Sequence, residues 1–123
     1  MKSLLVVAHG SRRAESNDEI RTLTRALAER AGEEYARVEC AFLELAEPSI
    51  PNGLREAITA GATEIIVMPY FLSAGRHVVM DIPAEVDEVR AEHPAIRITI
   101  APYLGSAPAL GDALLAQARL HTA

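Results

Sequence analysis

Apolar residues along this chain occur in two alternating patterns. Short runs rich in Val, Ile and Leu lie at Ser3 to Ala8, Tyr35 to Leu43, Glu64 to Met68 and Ile96 to Ile100, and their length and composition predict strands. Between and after them, apolar positions recur at helical spacing: Ile20, Leu23 and Leu27; Leu54 and Ile58; Val86 and Val89; Leu110 and Leu114. Punctuation residues frame these helices. Ser16 and Glu19 have capping-box spacing ahead of Ile20, and Gly32 offers a left-handed stop. Ser49 and Pro51 open the second helix and Gly61 follows it; Pro83 sits in the opening turn of the third and Pro94 ends it; Ser106 and Pro108 open the last. Strand and helix alternate throughout, so the prediction is a single α/β domain over residues 1–123, with helices on both faces of a four-stranded parallel sheet in three αβα layers.

Strand character orders the sheet. A strand covered on both faces reads as continuous hydrophobics, whereas an edge strand tends to alternate. Leu4-Leu5-Val6-Val7-Ala8 and Ile65-Ile66-Val67-Met68 are continuous; Val38-Glu39-Cys40-Ala41-Phe42 and Ile96-Arg97-Ile98-Thr99-Ile100 alternate. The first and third strands therefore belong in the centre, and right-handed crossovers give order 2-1-3-4, a short flavodoxin-like sheet whose winding reverses between strands one and three. Ligands bind such sheets beyond the carboxyl ends of the strands at that reversal. Two unusual segments fall there: His9-Gly10-Ser11-Arg12 after strand one, and Pro69 to His77 after strand three. The second is long for a strand-to-helix connection, which usually takes about 2 to 6 residues, and ordered loops of that length tend to serve a ligand.

Composition narrows the partners. A net charge of -5 and the scarcity of aromatic residues, 4% of the chain, argue against nucleic acid or an anionic membrane. No apolar run approaches the roughly 20 residues that span a bilayer. The single cysteine, Cys40, has no partner for an intramolecular disulfide, and Lys2 to Val7 enters a strand without a leader-like pattern, so a cytoplasmic location is expected. In mid-strand, Cys40 reads as a buried small hydrophobe.

Of the four histidines, His93 at a helix end and His121 near the C-terminus read as solvent-exposed. His9 and His77 lie across the switch point from each other, where two neutral imidazoles can hold one borderline metal and leave coordination positions open. Glu44 ends strand two at the same edge and is a candidate ligand or proton acceptor. Ser11, Arg12, Arg13 and Arg76 flank the histidines, and the guanidiniums suit ligand carboxylates. Phe71 and Leu72 form an apolar flap, part of which completes the core. Asp81, just ahead of Pro83, is expected to cap the third helix or support a metal ligand.

Taken in order, Ala8-His9-Gly10-Ser11-Arg12 with Asn17, Phe42-Leu43-Glu44-Leu45-Ala46-Glu47-Pro48-Ser49, Pro69-Tyr70-Phe71-Leu72 with Gly75 and His77, Asp81-Ile82-Pro83 and Pro102-Tyr103-Leu104-Gly105 resemble the class II chelatases, specifically the short CbiX-type sirohydrochlorin chelatases. The resemblance covers nearly the whole chain. It implies sirohydrochlorin as substrate, a divalent metal (Co²⁺, Fe²⁺ or Ni²⁺) as co-substrate rather than a permanently bound cofactor, and His9 and His77 as the metal-binding pair. It also implies a homodimer, because longer relatives carry two such units and bind the macrocycle between them. The histidine-rich tract of some short relatives is missing here, which speaks against metal storage. Two other readings of the residues stand beside it. A non-catalytic tetrapyrrole or metal carrier could use the same crevice. A histidine phosphatase also has a histidine-glycine pair after strand one, but places an arginine immediately before that histidine, where this chain has Ala8.

Overall fold

The computed structural model describes residues 1–121. Its elements run β1 (Lys2–Ala8), α1 (Ala14–Ala31), β2 (Arg37–Phe42), α2 (Ile50–Thr59), β3 (Glu64–Pro69), a π-helical turn (His77–Asp81) leading directly into α3 (Ile82–Glu92), β4 (Arg97–Ile100), a 3₁₀ turn (Leu104–Ser106) and α4 (Leu110–Ala118). All strands are parallel, in the order β2-β1-β3-β4, as the strand character predicts. Leu5 is level with Glu39 on one side and Val67 on the other, so β1 and β3 end at a common edge.

Successive strand residues point to opposite faces of the sheet. Leu5, Val7, Ala41, Ile65, Val67 and Ile98 point to one face and form a single core with Ile50 and Leu54 of α2 and Ile82, Val86 and Val89 of α3. Most of these side chains are wholly inaccessible to solvent. On the other face α1 packs over β2, with Arg21 lying 5.2 Å above the Phe42 ring. Beyond α1 this face is thinly covered: Leu4, Ile66 and Met68 stay partly accessible, and β3 alternates in burial although its sequence is continuously apolar. No residue of α4 is buried. No helix among the described residues is long and apolar enough to cross a membrane.

Several local expectations are revised. α1 starts at Ala14, with Arg13 in the cap position and no side-chain cap bond, so Ser16 lies inside the first turn. Asn17 explains the earlier start, because its side chain accepts from the Ser11 N–H (2.9 Å) and donates to the Ser11 carbonyl (2.8 Å), tying the helix back to the preceding loop. Ser49 does cap α2, accepting from the Asn52 N–H at 3.2 Å. Ser106 does not cap α4; its hydroxyl donates to the Tyr103 carbonyl and closes the 3₁₀ turn. Strand β2 is shorter at both ends than the apolar run, since Tyr35 and Ala36 precede the ladder and Leu43 follows it. Cys40 and His93 are half-buried rather than fully buried and fully exposed, one beside α1 on the edge strand, the other closing α3 with its N–H on the Val89 carbonyl.

Candidate functional site

Strand β1 ends at Ala8, and the chain turns at Gly10 with φ of 91°. A Cβ there would come within 1.8 Å of the Glu44 carbonyl oxygen, so glycine alone permits this approach. The Leu43 N–H donates to the Ala8 carbonyl (2.9 Å) and the Glu44 N–H to the His9 carbonyl (3.0 Å), extending the β1–β2 register past the strands. That zipper sets His9 beside Glu44. Their side chains meet at 2.9 Å, His9 Nε2 to Glu44 Oε1, with both about half-exposed.

The second loop is anchored from two directions. The Tyr70 N–H donates to the Val7 carbonyl, and the Gly105 N–H donates to the Phe71 carbonyl at 2.9 Å. A Cβ on Gly105 would sit 1.8 Å from the Leu72 carbonyl oxygen, so the 3₁₀ turn after β4 locks against this loop through a glycine. The connection is also shorter than the sequence predicts. His77 is not its last residue but the first of the π-helical turn, whose wider hydrogen bond runs from the Ile82 N–H to the His77 carbonyl. Isolated π turns of this kind often occur at functional sites. This one brings Asp81 Oδ2 to 2.8 Å from His77 Nδ1. With a carboxylate as acceptor, Nδ1 carries the proton and Nε2 presents its lone pair.

The two imidazoles face each other with ring centroids 4.7 Å apart and planes inclined at 63°. Each is thus held by one carboxylate, His9 by Glu44 and His77 by Asp81. No group of three His, Cys, Asp or Glu side chains among the described residues is arranged to hold a metal ion. Any metal held by the imidazoles would keep an open coordination sphere. Cavities flank the pair. One of about 540 Å³ opens toward α1, lined by His9, Gly10, Ser11, Ile20, Leu23 and Phe71 among others; one of about 270 Å³ is lined by Leu43, Glu44, His77, Asp81, Ala84 and Glu85. A larger depression of about 710 Å³ beside α2 shares no residue with either and contains neither histidine.

The remaining candidates divide. Arg12, Arg13 and Arg76 are all exposed and lie close to the histidines in sequence, with Arg13 3.6 Å from Glu15. Ser11 is engaged in its own turn, its hydroxyl accepting from the Arg13 N–H. Phe71 packs against the core whereas Leu72 is 70% exposed, so the flap is part structure and part surface. Leu45, Val79 and Met80 add further exposed apolar surface that the sequence reading does not single out. It also misses Glu85, whose Oε2 is buried without a partner. Burial, followed by the nearby Asp81 and Glu88 charges, pushes the Glu85 carboxyl above the ordinary carboxylate range. The four-residue spacing of His77, Asp81 and Glu85 was the available signal, since it places all three on one helical side.

Comparison with known proteins identifies the family and the fold. The CbiX family profile matches residues 3–120. The chloroplastic sirohydrochlorin ferrochelatase of Arabidopsis thaliana is 38% identical over 102 residues, covering 83% of this chain and 44% of that protein. Among solved structures, a cobalamin-biosynthesis CbiX protein from Marinobacter aquaeolei VT8 superposes with a TM-score of 0.82 at 32% identity, covering 97% of this chain and 95% of that one. The sirohydrochlorin chelatase SirB from Bacillus subtilis subspecies spizizenii, solved in complex with cobalt, gives a TM-score of 0.85 at 28% identity, covering 96% of this chain but 50% of SirB. The chain spans from 33% to 64% of the length of several curated relatives that it matches.

Proposed function

Because the chain belongs to the CbiX family, we propose that it inserts a divalent metal ion into sirohydrochlorin, with the metal entering as a substrate and no resident cofactor required. The observation that carries this reading is the facing pair of imidazoles at the switch point, 4.7 Å apart and each backed by a carboxylate. Metallation replaces two pyrrole N–H protons by one M²⁺ and exchanges the ion's ligands for four ring nitrogens. His77, its Nδ1 proton held by Asp81, offers Nε2 to the incoming ion. His9 does the same once its ring proton moves from Nε2 to Nδ1, which releases its bond to Glu44 and leaves that carboxylate free to accept a proton released by the ring.

The exposed Arg12, Arg13 and Arg76 pair with peripheral carboxylates of the macrocycle, while Leu72, with Phe71 beneath it, meets the ring's apolar surface; Ser11 contributes by holding the loop. Fixing the ring over the metal in this way supplies much of the rate by orientation. The open site is half of a working one, so a second copy of the chain completes it as a homodimer. Cobalt, iron and nickel all suit two imidazoles, and the site chemistry does not separate them. The working compartment is the cytoplasm, where the lone thiol of Cys40 stays reduced.

The test is an anaerobic absorbance assay of sirohydrochlorin with Co²⁺, Fe²⁺ and Ni²⁺. Catalytic turnover is expected with at least one of them, and folded His9→Ala and His77→Ala variants should lose it. One-time binding without release would identify a carrier. Undiminished turnover in both variants would falsify the histidine assignment.

A further inference from the structure

We infer that α4 is exchanged between two copies of this chain, each copy's α4 lying on the partly uncovered sheet face of the other; this rests on the homodimer proposed above. Two surfaces within one chain call for cover. The first is the α1-side face of the central strands. Residues Ile65 to Met68 are apolar on both sides, as in strands sandwiched between two helix layers. Yet Val67 is 0% exposed under α2 and α3, while Ile66, Met68 and Leu4 remain half-buried on the opposite face. Ile20, Leu23 and Leu27 of α1, also half-buried, stand along the same face.

The second surface is α4 itself. From Leu110 to Ala118 its one charged residue is Asp112, and a helix that is apolar nearly all round belongs in an interior. Here it lies clear of the sheet: none of its residues is buried, Leu114 and Leu115 are 64% and 55% exposed, and a Cβ on Gly111 would meet nothing within 4 Å. The departure of α4 is set by the 3₁₀ turn before it, which the Gly105 contacts lock to the Phe71–Leu72 loop. A helix held away from its own sheet and a sheet lacking a helix fit each other once a two-fold axis is applied, and one operation covers both. The length of SirB, twice the span of this chain, accords with two such units working together. The uncovered face opens at its upper end into the cavity that contains His9, so the partner's α4 also borders the site.

The test uses the full chain with Cys40→Ser, adding Leu114→Cys together with Ile66→Cys or Met68→Cys, treated with a short bismaleimide and run on a denaturing gel. Exchange predicts a dimer-sized covalent product, and mixing chains that carry only one of the two cysteines should give a covalent heterodimer after subunit exchange. A product of monomer size with both thiols consumed places α4 on its own sheet and overturns the exchange, as does the absence of any cross-link. In parallel, Leu114→Asp with Leu115→Asp should raise the dimer dissociation constant by about a hundredfold or more in sedimentation, with the circular dichroism spectrum retained. An undiminished dimer in that variant also overturns the exchange while leaving the chelatase dimer standing. Full turnover by a monomeric wild-type protein would sink both proposals.

Discussion

The two faces of the sheet carry similar residues and have opposite finishes. On the α2–α3 face, strand and helix side chains interlock into one core with almost no accessible surface. On the α1 face, side chains as apolar as Ile66 and Met68 stay half-open and the last helix of the chain stands apart. Hydrophobicity therefore does not decide which face is closed; the supply of covering helices does. The closed face gives the rigidity on which His9, Glu44 and His77 are aligned, and the open one leaves room for a ligand or a second copy beside them.

The largest effect expected from breaking this contrast is on the closed face. Leu54→Ala removes a fully buried side chain and should destabilise the protein by about 2–5 kcal/mol in denaturant titration, because a tightly packed core cannot collapse into the space. A loss below about 0.5 kcal/mol would show that this face is not the stable scaffold it resembles. At the edge joining the faces, Asp81→Asn should lower metal affinity and metallation rate by about 10–100-fold with little change in unfolding, since it loosens the orientation of His77 without emptying the core. Cobalt titration followed by absorbance would check it, and unchanged affinity would remove Asp81 from the site.

On the open face, Ile66→Thr should change the unfolding free energy by less than about 1 kcal/mol in dilute solution and show its main effect at concentrations where two copies associate. A concentration-independent loss as large as that of Leu54→Ala would mean that this face is closed within one chain. The smallest effect concerns pH. With its carboxyl raised by burial, Glu85 keeps its proton to higher pH when folded than when unfolded. Stability therefore declines as pH rises from the ordinary carboxylate value to the raised one and is flat above it. Glu85→Gln should abolish that decline, leaving the variant slightly the more stable above the window; an unaltered pH profile would contradict the assignment.

Much of this was legible in the residues themselves. Continuous apolar runs marked β1 and β3 as central, Ser49 and Pro51 located the start of α2, and strand order alone put His9 and His77 at one edge. What proved illegible depended on contacts between distant segments. Ser16 and Glu19 satisfy a capping box locally, but the tie between Asn17 and Ser11 starts α1 earlier. The reading of Pro69 to His77 as a loop could not see that His77 begins a π turn, because one widened hydrogen bond over five residues leaves no distinct mark in the apolar pattern. Nor does a linear pattern tell whether Phe71 or Leu72 faces the core, since adjacent loop residues lack a fixed period.

By itself, then, the order of residues determined the α/β class, the succession of strands and the two segments bearing histidine, because these follow from backbone periodicity that acts over short stretches of chain. Tertiary structure alone decided that each imidazole is held by a carboxylate, that Gly10 and Gly105 bring loops into contact, and that α4 lies clear of its own sheet. Those outcomes depend on which surfaces meet in space, and a local pattern of apolar residues states a need for burial without naming the surface that meets it.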